Sequence, residues 1–305
     1  MAKVIVLCGG SSPEREVSLR SGAAVAAALE KNGHDVRIVD PQDGLQNYGA
    51  ELEHADVVFP VLHGVGGEDG SVQQVLEAID VAYVGSSSAV SSLCFNKERT
   101  KKRLREAGIA VPEGMMVTSS TVWESPLVSK PFVLKPVDGG SSIDTFIVRA
   151  PEEADKLAIE NALGRHKQML LEELIEGIEI TVGVVGDDAM PAIEIIPPEG
   201  GEFDYDNKYN GKTAELCPPV HVTPGQQYKV QKLAAKVHHV LGCRDLSRTD
   251  FIMDGSGAFY ALELNTLPGM TDQSLLPKAA AAAGMSMEDL VDKLVRAAIK
   301  RGPKR

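Results

Sequence analysis

The chain has 305 residues, 43% hydrophobic and 24% charged, with 29 glycines and a formal net charge of -12. Such a length implies about two to three domains, each able to bury a core without staples, in a composition typical of soluble α/β enzymes. The acidic balance argues against a general nucleic-acid binder, whose surface has to neutralise phosphates, but leaves room for a nucleotide held by a few local lysines and Mg²⁺.

Residues 3–8 (KVIVLC) form a continuous apolar run, as expected of a strand buried on both faces. The run stops at Gly9-Gly10-Ser11-Ser12, and an amphipathic helix is predicted over residues 16–32, ending at Gly33. Residues 35–39 and 57–62 are further short strands, and a third helix-then-strand unit covers residues 73–84. This alternation predicts a parallel sheet with crossover helices. The texture changes after residue 93, where a strongly charged helix over 97–107 is broken at Val111-Pro112. Strands at 132–135 and 146–148 flank a Gly- and Ser-rich connection, 136–144, which reads as hairpin-like. Further strands are expected at 170–173, 179–185, 189–196, 249–253 and 258–264. A helix over 226–241 carries Val230, Leu233, Val237 and Leu241 on one stripe, and Ser286 to Asp289 forms a capping box that opens the last helix. Residues 197–222 lack periodicity, and a connection that long inside a compact domain is expected to be a functional lid. Cys8, Cys94, Cys217 and Cys243 have no C-x-x-C spacing, which excludes a cysteine zinc site and fits reduced thiols. No apolar stretch approaches the roughly 18 residues of a membrane span, and no signal peptide precedes the first strand, so a cytoplasmic protein is expected.

The densest chemistry lies near the C-terminus, in Arg248-Thr-Asp250 and Glu263-Leu-Asn265. Asp250 and Glu263 are expected at the ends of two adjacent strands, with Asn265 on the same face as Glu263. Two carboxylates and an amide oxygen suit Mg²⁺, which takes its remaining ligands from water and phosphate. The competing reading is a polar strand end with ordinary surface acids. There is no G-x-x-x-x-G-K-[ST], so a P-loop is excluded. The missing G-x-G-x-x-G likewise argues against a nicotinamide-dependent dehydrogenase, despite the Gly9-Gly10 turn.

Six separated motifs then fall in one order. They are Gly9-Gly10-x-Ser12-x-Glu14-Arg15-Glu16-Val17-Ser18-Leu19; His63-Gly64-x-x-Gly67-Glu68-Asp69-Gly70; Lys135-Pro136 with Gly140-Ser141-Ser142; Asp204-Tyr205-x-x-Lys208-Tyr209; Glu263-x-Asn265-x-x-Pro268-Gly269-Met270-Thr271; and Ser274-Leu275. Together they resemble the D-alanine–D-alanine ligases of the ATP-grasp superfamily, from residue 3 to about residue 295. The resemblance implies an α/β and α+β multidomain chain: an N-terminal, Rossmann-like parallel α/β domain over 1–93, followed by the two-lobed ATP-grasp fold over 94–177 and 178–305. It implies ATP-dependent joining of two D-alanines through an acyl phosphate, for peptidoglycan precursors, and enzymes of this kind are commonly homodimers.

By the same resemblance, Glu14 faces the ammonium of the first D-alanine, with His63 and Glu68 on the same rim, and Ser274 and Leu275 cradle the second D-alanine's carboxylate. Lys97, Lys135 and Lys208 serve ATP, with Glu172, Glu173, Leu174 and Glu179 forming the hinge for adenine and ribose. Asp250, Glu263 and Asn265 would hold two Mg²⁺ or Mn²⁺ ions. Arg248 and the Gly269 N–H would stabilise developing negative charge, and Glu14, Ser141 and Tyr209 would pin the closed lid. Without the resemblance, Glu14 and Glu68 read as helix-dipole complements and His63 as a bonded core imidazole. Lys135 follows the apolar Phe132-Val-Leu, where an unpaired ammonium would be costly.

Two positions depart from the pattern. Asp144 stands where the family carries glycine. Aspartate tolerates a left-handed backbone, but its charge near a triphosphate would repel it. Glu202 stands where the family often has an aromatic residue. Competing functions are a D-alanine–D-lactate or D-serine ligase, disfavoured by Lys208-Tyr209, and a catalytically weak ATP-binding module, to which only Asp144 points.

Overall fold

A computed structural model describes residues 1–140, 143–198 and 213–303. The first sheet is parallel, with β1 (Lys3–Leu7) central between β2 (Asp35–Val39) and β3 (Val57–Pro60). Tyr83 adds a single parallel bridge to Val58, so the strand expected near 82–84 is reduced to one pairing. Helix α1 (Arg15–Lys31) packs on this sheet through Val25, Ala26 and Leu29. Its approach is close enough that a Cβ at Gly22 would lie 2.5 Å from the Cys8 Cβ, so glycine is required there. The short α2 (Gly49–Glu53) and α3 (Ser71–Ala78) complete this part.

Two consecutive helices follow, α4 (Ser88–Phe95) and α5 (Lys97–Glu106). Asn96 separates them and caps α5, its side chain accepting from the Arg99 N–H. The second sheet is antiparallel, in the order β4 (Gly114–Val117), β7 (Met169–Glu173), β5 (Phe132–Pro136), β6 (Phe146–Val148). Strands β5 and β6 pair directly, as the hairpin reading requires. Helix α6 (Lys156–His166) covers one face, and the enclosed core contains Phe132, Leu134, Ile159 and Leu171.

The third sheet runs β11 (Ala214–Leu216), β10 (Ile193–Ile196), β8 (Ile178–Val185), β12 (Leu246–Met253), β13 (Phe259–Asn265), with β9 (Asp188–Ala189) beside β8. The strand expected over 189–196 is therefore two: Pro191 has no N–H to offer a ladder, and pairing resumes at Ile193. Helix α7 (Pro224–Leu241) opens on a capping box, Thr223 with Gln226, and closes on left-handed Gly242. Helix α8 (Leu275–Ala282) leads to α9 (Met287–Arg301), whose Ser286–Asp289 capping box is present as expected.

The three sheets are not equally independent. A single apolar core joins the first sheet and α1 to α8, α9 and one end of the third sheet, through residues such as Val6, Val25, Val185, Leu276 and Leu294. The other face of the third sheet shares a core with α7 and with Leu104 of α5. The second sheet keeps a core of its own. Among the described residues no helix is long and apolar enough to cross a membrane.

Candidate active site

Two cavities meet where the three sheets converge. The larger, about 800 Å³, lies between the second and third sheets and is lined by Lys97, Lys135, Glu172, Glu173, Leu174, Glu179, Asp250 and Glu263. The other, about 650 Å³, lies between the first and third and is lined by Glu14, His63, Glu68, Arg248, Glu263, Asn265, Gly269, Ser274 and Leu275. Glu14, Gly140 and Glu263 border both. Every predicted site residue within the described part thus faces one of two adjoining chambers. Ser141, Lys208 and Tyr209 lie outside the described residues, as does Glu202.

The wall between the chambers is built on β12 and β13. Their register sets Arg248 opposite Asn265 and Asp250 opposite Glu263, so all four share one face. Asp250 is not at a strand end as expected: β12 begins at Leu246, three residues before the expected start, which leaves Asp250 mid-strand, and a bulge between Asp250 and Phe251 follows the pair. Arg248 binds Asp250 in a fork, Nε to Oδ1 at 3.0 Å and Nη2 to Oδ2 at 2.9 Å. Thr181 on β8 also donates to Asp250, at 2.6 Å. Burial works against the Arg248 charge, but Asp250 outweighs it and raises the guanidinium's pKa, so Arg248 stays cationic. The face offers two carboxylates and an amide beside buried cations, a hard-oxygen set that fits a divalent cation completed by phosphate oxygens. No three of histidine, cysteine, aspartate and glutamate cluster as ligands among the described residues.

On the nucleotide-sized side, Lys97 donates to the Gly139 carbonyl at 2.6 Å and stands 3.7 Å from Glu263. Burial lowers its pKa, with Glu263 opposing. Lys135 is not unpaired: its ammonium is 2.9 Å from Glu172 Oε2. Burial disfavours the Lys135 charge, yet Glu172 and Glu263 prevail and its pKa is raised. Glu172 is buried between two ammonium groups, Lys135 and Lys101. Lys101 escaped the sequence reading, although its signal was there: it follows Lys97 by one helical turn, on the same buried face.

In the other chamber His63 is buried and bonded to the Leu267 backbone, and burial lowers its pKa, so the imidazole is neutral. Its Nε2 has no partner among the described residues. Glu68 accepts the Gly64 N–H at 2.9 Å, and burial pushes its carboxyl up to about 8. Ser274 caps α8 in an extended conformation, with its hydroxyl 2.9 Å from that of Thr271. A Cβ at Gly269 would lie 2.7 Å from the Ser274 hydroxyl, so any larger residue there displaces that hydroxyl. Lys278 and Glu215 pair at 2.7 Å across the outer rim, a contact between α8 and β11 that no sequence spacing announces.

The Asp144 charge is also placed differently from the expectation. Asp144 does adopt a left-handed backbone, φ 54°, but its carboxylate is held by Arg165 at 2.6 Å and His166 at 2.6 Å, at the end of α6.

A parallel α/β unit followed by two antiparallel sheets that face each other across a chamber of lysines and carboxylates defines the ATP-grasp class of fold. The comparisons make this specific. The family model described as D-ala D-ala ligase C-terminus matches residues 104–296, and its N-terminal counterpart matches 42–86. The D-alanine--D-alanine ligase of Erythrobacter litoralis is 42% identical, across 97% of this chain and 93% of its own. That of Mannheimia succiniciproducens is 41% identical, across 96% of each. Among solved structures, the Bacillus anthracis D-alanine--D-alanine ligase complexed with ATP superposes with a TM-score of 0.85 at 29% identity, covering 99% of this chain and 98% of its own. The Enterococcus faecalis D-Ala:D-Ser ligase VanG has a TM-score of 0.82 at 28% identity, covering 97% and 99%. The chain belongs to the D-alanine–D-alanine ligase family.

Proposed function

We infer that this chain joins two D-alanines, converting ATP to ADP and phosphate, and that its two chambers divide the work. ATP takes the larger chamber and the amino acids the smaller. The observation that carries this reading is the shared wall: Arg248, Asp250, Glu263 and Asn265 on one face, bordered by both chambers.

A carboxylate is a poor electrophile. An oxygen of the first D-alanine's carboxylate attacks the γ-phosphorus at the wall and ADP leaves, giving an acyl phosphate. The second D-alanine's ammonium gives one proton to water, its nitrogen attacks the carbonyl carbon, and phosphate leaves as that nitrogen gives up a second proton. Glu14 holds the first ammonium, and the α8 N-terminus with Ser274 and Leu275 receives the second carboxylate. Lys97 and Lys135 neutralise the phosphates, with Lys208 assigned the same task by resemblance. Leu174, Glu173, Glu172 and Glu179 border the adenosine end. Arg248 is anchored by Asp250, so its remaining N–H groups are pre-aimed at negative charge that grows during both steps. The Gly269 N–H supplies a second donor to the tetrahedral oxyanion. Asp250, Glu263 and Asn265 would hold Mg²⁺ or Mn²⁺, which supplies further neutralisation of phosphate oxygens. Water has to be excluded from the acyl phosphate, the role given to the segment containing Tyr209, pinned through Ser141 and Glu14.

The domain division 1–93, 94–177 and 178–305, a cytoplasmic location and a homodimer belong to the same reading. The test is phosphate release with ATP and Mg²⁺, followed together with dipeptide by mass spectrometry, with D-alanine alone and then with D-serine or D-lactate added. Phosphate and D-alanyl-D-alanine in equal amounts are expected. Turnover only with D-serine or D-lactate would reassign the second substrate, and ATP binding without turnover on any of them would refute the ligase.

A further inference from the structure

Lys101 is 1% exposed and lines neither chamber. It sits on α5, whose Leu104 belongs to the core of the third sheet, and it reaches across to Glu172 on β7 of the separately cored second sheet. Glu172, also 1% exposed, divides its two oxygens: Oε1 accepts from Lys101 and Oε2 from Lys135, whose ammonium stands 2.9 Å away. Of these three charges only the two on Glu172 and Lys135 border the chamber.

The count of charges is the argument. Glu172 with Lys135 alone is a neutral pair, and a neutral pair has little attraction for a polyphosphate. With Lys101 behind it, the group carries one net positive charge, and Lys135 is where that charge meets the chamber. A buried ion pair is a poor device for stability, since apolar residues of similar size usually serve as well or better. Burial and the neighbouring Lys135 push the Lys101 amine down to about 7, against the pull of Glu172, so the ammonium in this count is held in full only below that pH, and binding is to be compared at about pH 6.

We propose that Lys101 is a positioning residue for the nucleotide: by occupying one oxygen of Glu172 from behind, it leaves the Lys135 ammonium as net positive charge facing the phosphates. This rests on reading the larger chamber as the ATP site.

The discriminating measurement is calorimetric binding of ATP and of adenosine to the full chain. The two ligands share the base and sugar and differ in phosphate charge. Lys101→Met is expected to weaken ATP roughly tenfold, with adenosine changed less than twofold. Glu172→Gln should raise the ratio of ATP to adenosine affinity. The double variant, which removes both members of the pair, should return the ratio to near the wild-type value. If Lys101→Met does not fold, the double variant still decides, because it removes Lys101 and Glu172 together and leaves only the Lys135 charge, which borders the chamber. Its ratio falling well below wild type would overturn the proposal. So would equal weakening of ATP and adenosine in Lys101→Met, which marks a merely structural residue. Wild-type protein that binds neither ligand would refute the nucleotide reading itself, and the role of Lys101 would fall with it.

Discussion

Asp144 shows how far a residue's effect depends on its partners. Burial works against its ionisation, but Arg165 and His166 outweigh that and hold its carboxyl below the ordinary value. Its charge is therefore satisfied at the end of α6, not presented to phosphate. Asp144→Gly is accordingly expected to leave the KM for ATP within about twofold, whereas Arg165→Ala, which leaves the carboxylate held by His166 alone, should raise it roughly threefold. Adding Asp144→Gly to Arg165→Ala should abolish that rise in steady-state assays. Glu68 offers a test by pH. Between its ordinary value of 4.5 and about 8 the folded chain holds a proton on Glu68 that the unfolded chain has released, so this group lowers stability as pH rises through that window. Glu68→Gln keeps the carbonyl that accepts from Gly64, and should melt increasingly above wild type from pH 5 to pH 8. A constant difference in melting temperature across that range would mean that Glu68 is ionised in the folded chain.

At the scale of elements, the turn between β13 and α8 sets the amino-acid chamber's floor. Gly269→Ala would press a methyl on the Ser274 hydroxyl and is expected to raise the KM for D-alanine about tenfold while leaving that for ATP unchanged. Much of this scale was legible beforehand. Apolar runs and Gly-rich stops announced the parallel strands, and the Ser286 cap was readable because a cap is a local code. The β12–β13 face could be read from spacing alone, since residues two apart on a strand share a side. Register could not: that Asp250 opposes Glu263, and that a bulge follows, depends on how two strands are brought together. The Lys101–Glu172 contact was invisible for the same reason, its partners being 71 positions apart. Asp144 was misjudged because Arg165 and His166 reach it only once α6 is packed. The six ordered motifs carried the site further than the residue-by-residue chemistry did, since His63 or Lys135 taken alone reads as an ordinary buried or surface group.

At the scale of the molecule, the ends of the first and third sheets are bolted together at Asp245. Its carboxylate accepts from the Gly85 N–H at 2.8 Å and from Arg301, which also donates to the Tyr83 carbonyl at 2.7 Å. Arg244 lies over the Tyr83 ring, 4.9 Å from its centre. Asp245→Ala would leave Arg301 and the Gly85 N–H without their acceptor, and is expected to cost about 3 kcal/mol in urea unfolding. This junction, with the apolar core common to the two sheets, makes the amino-acid chamber and its wall one fixed jaw. The second sheet, bearing Lys135 and Glu172 on a core of its own, is the other jaw of a vice. A jaw held mainly by its own packing can loosen without disturbing its counterpart. In dilute urea, amides of β5 and β7 should exchange hydrogen sooner than those of β8 and β12, and ATP, which would grip both jaws, should slow β5 and β7 selectively. D-alanine alone, seated wholly in the fixed jaw, should not. Tightness for nucleotide and tightness for amino acid would then be separately adjustable properties of one small enzyme.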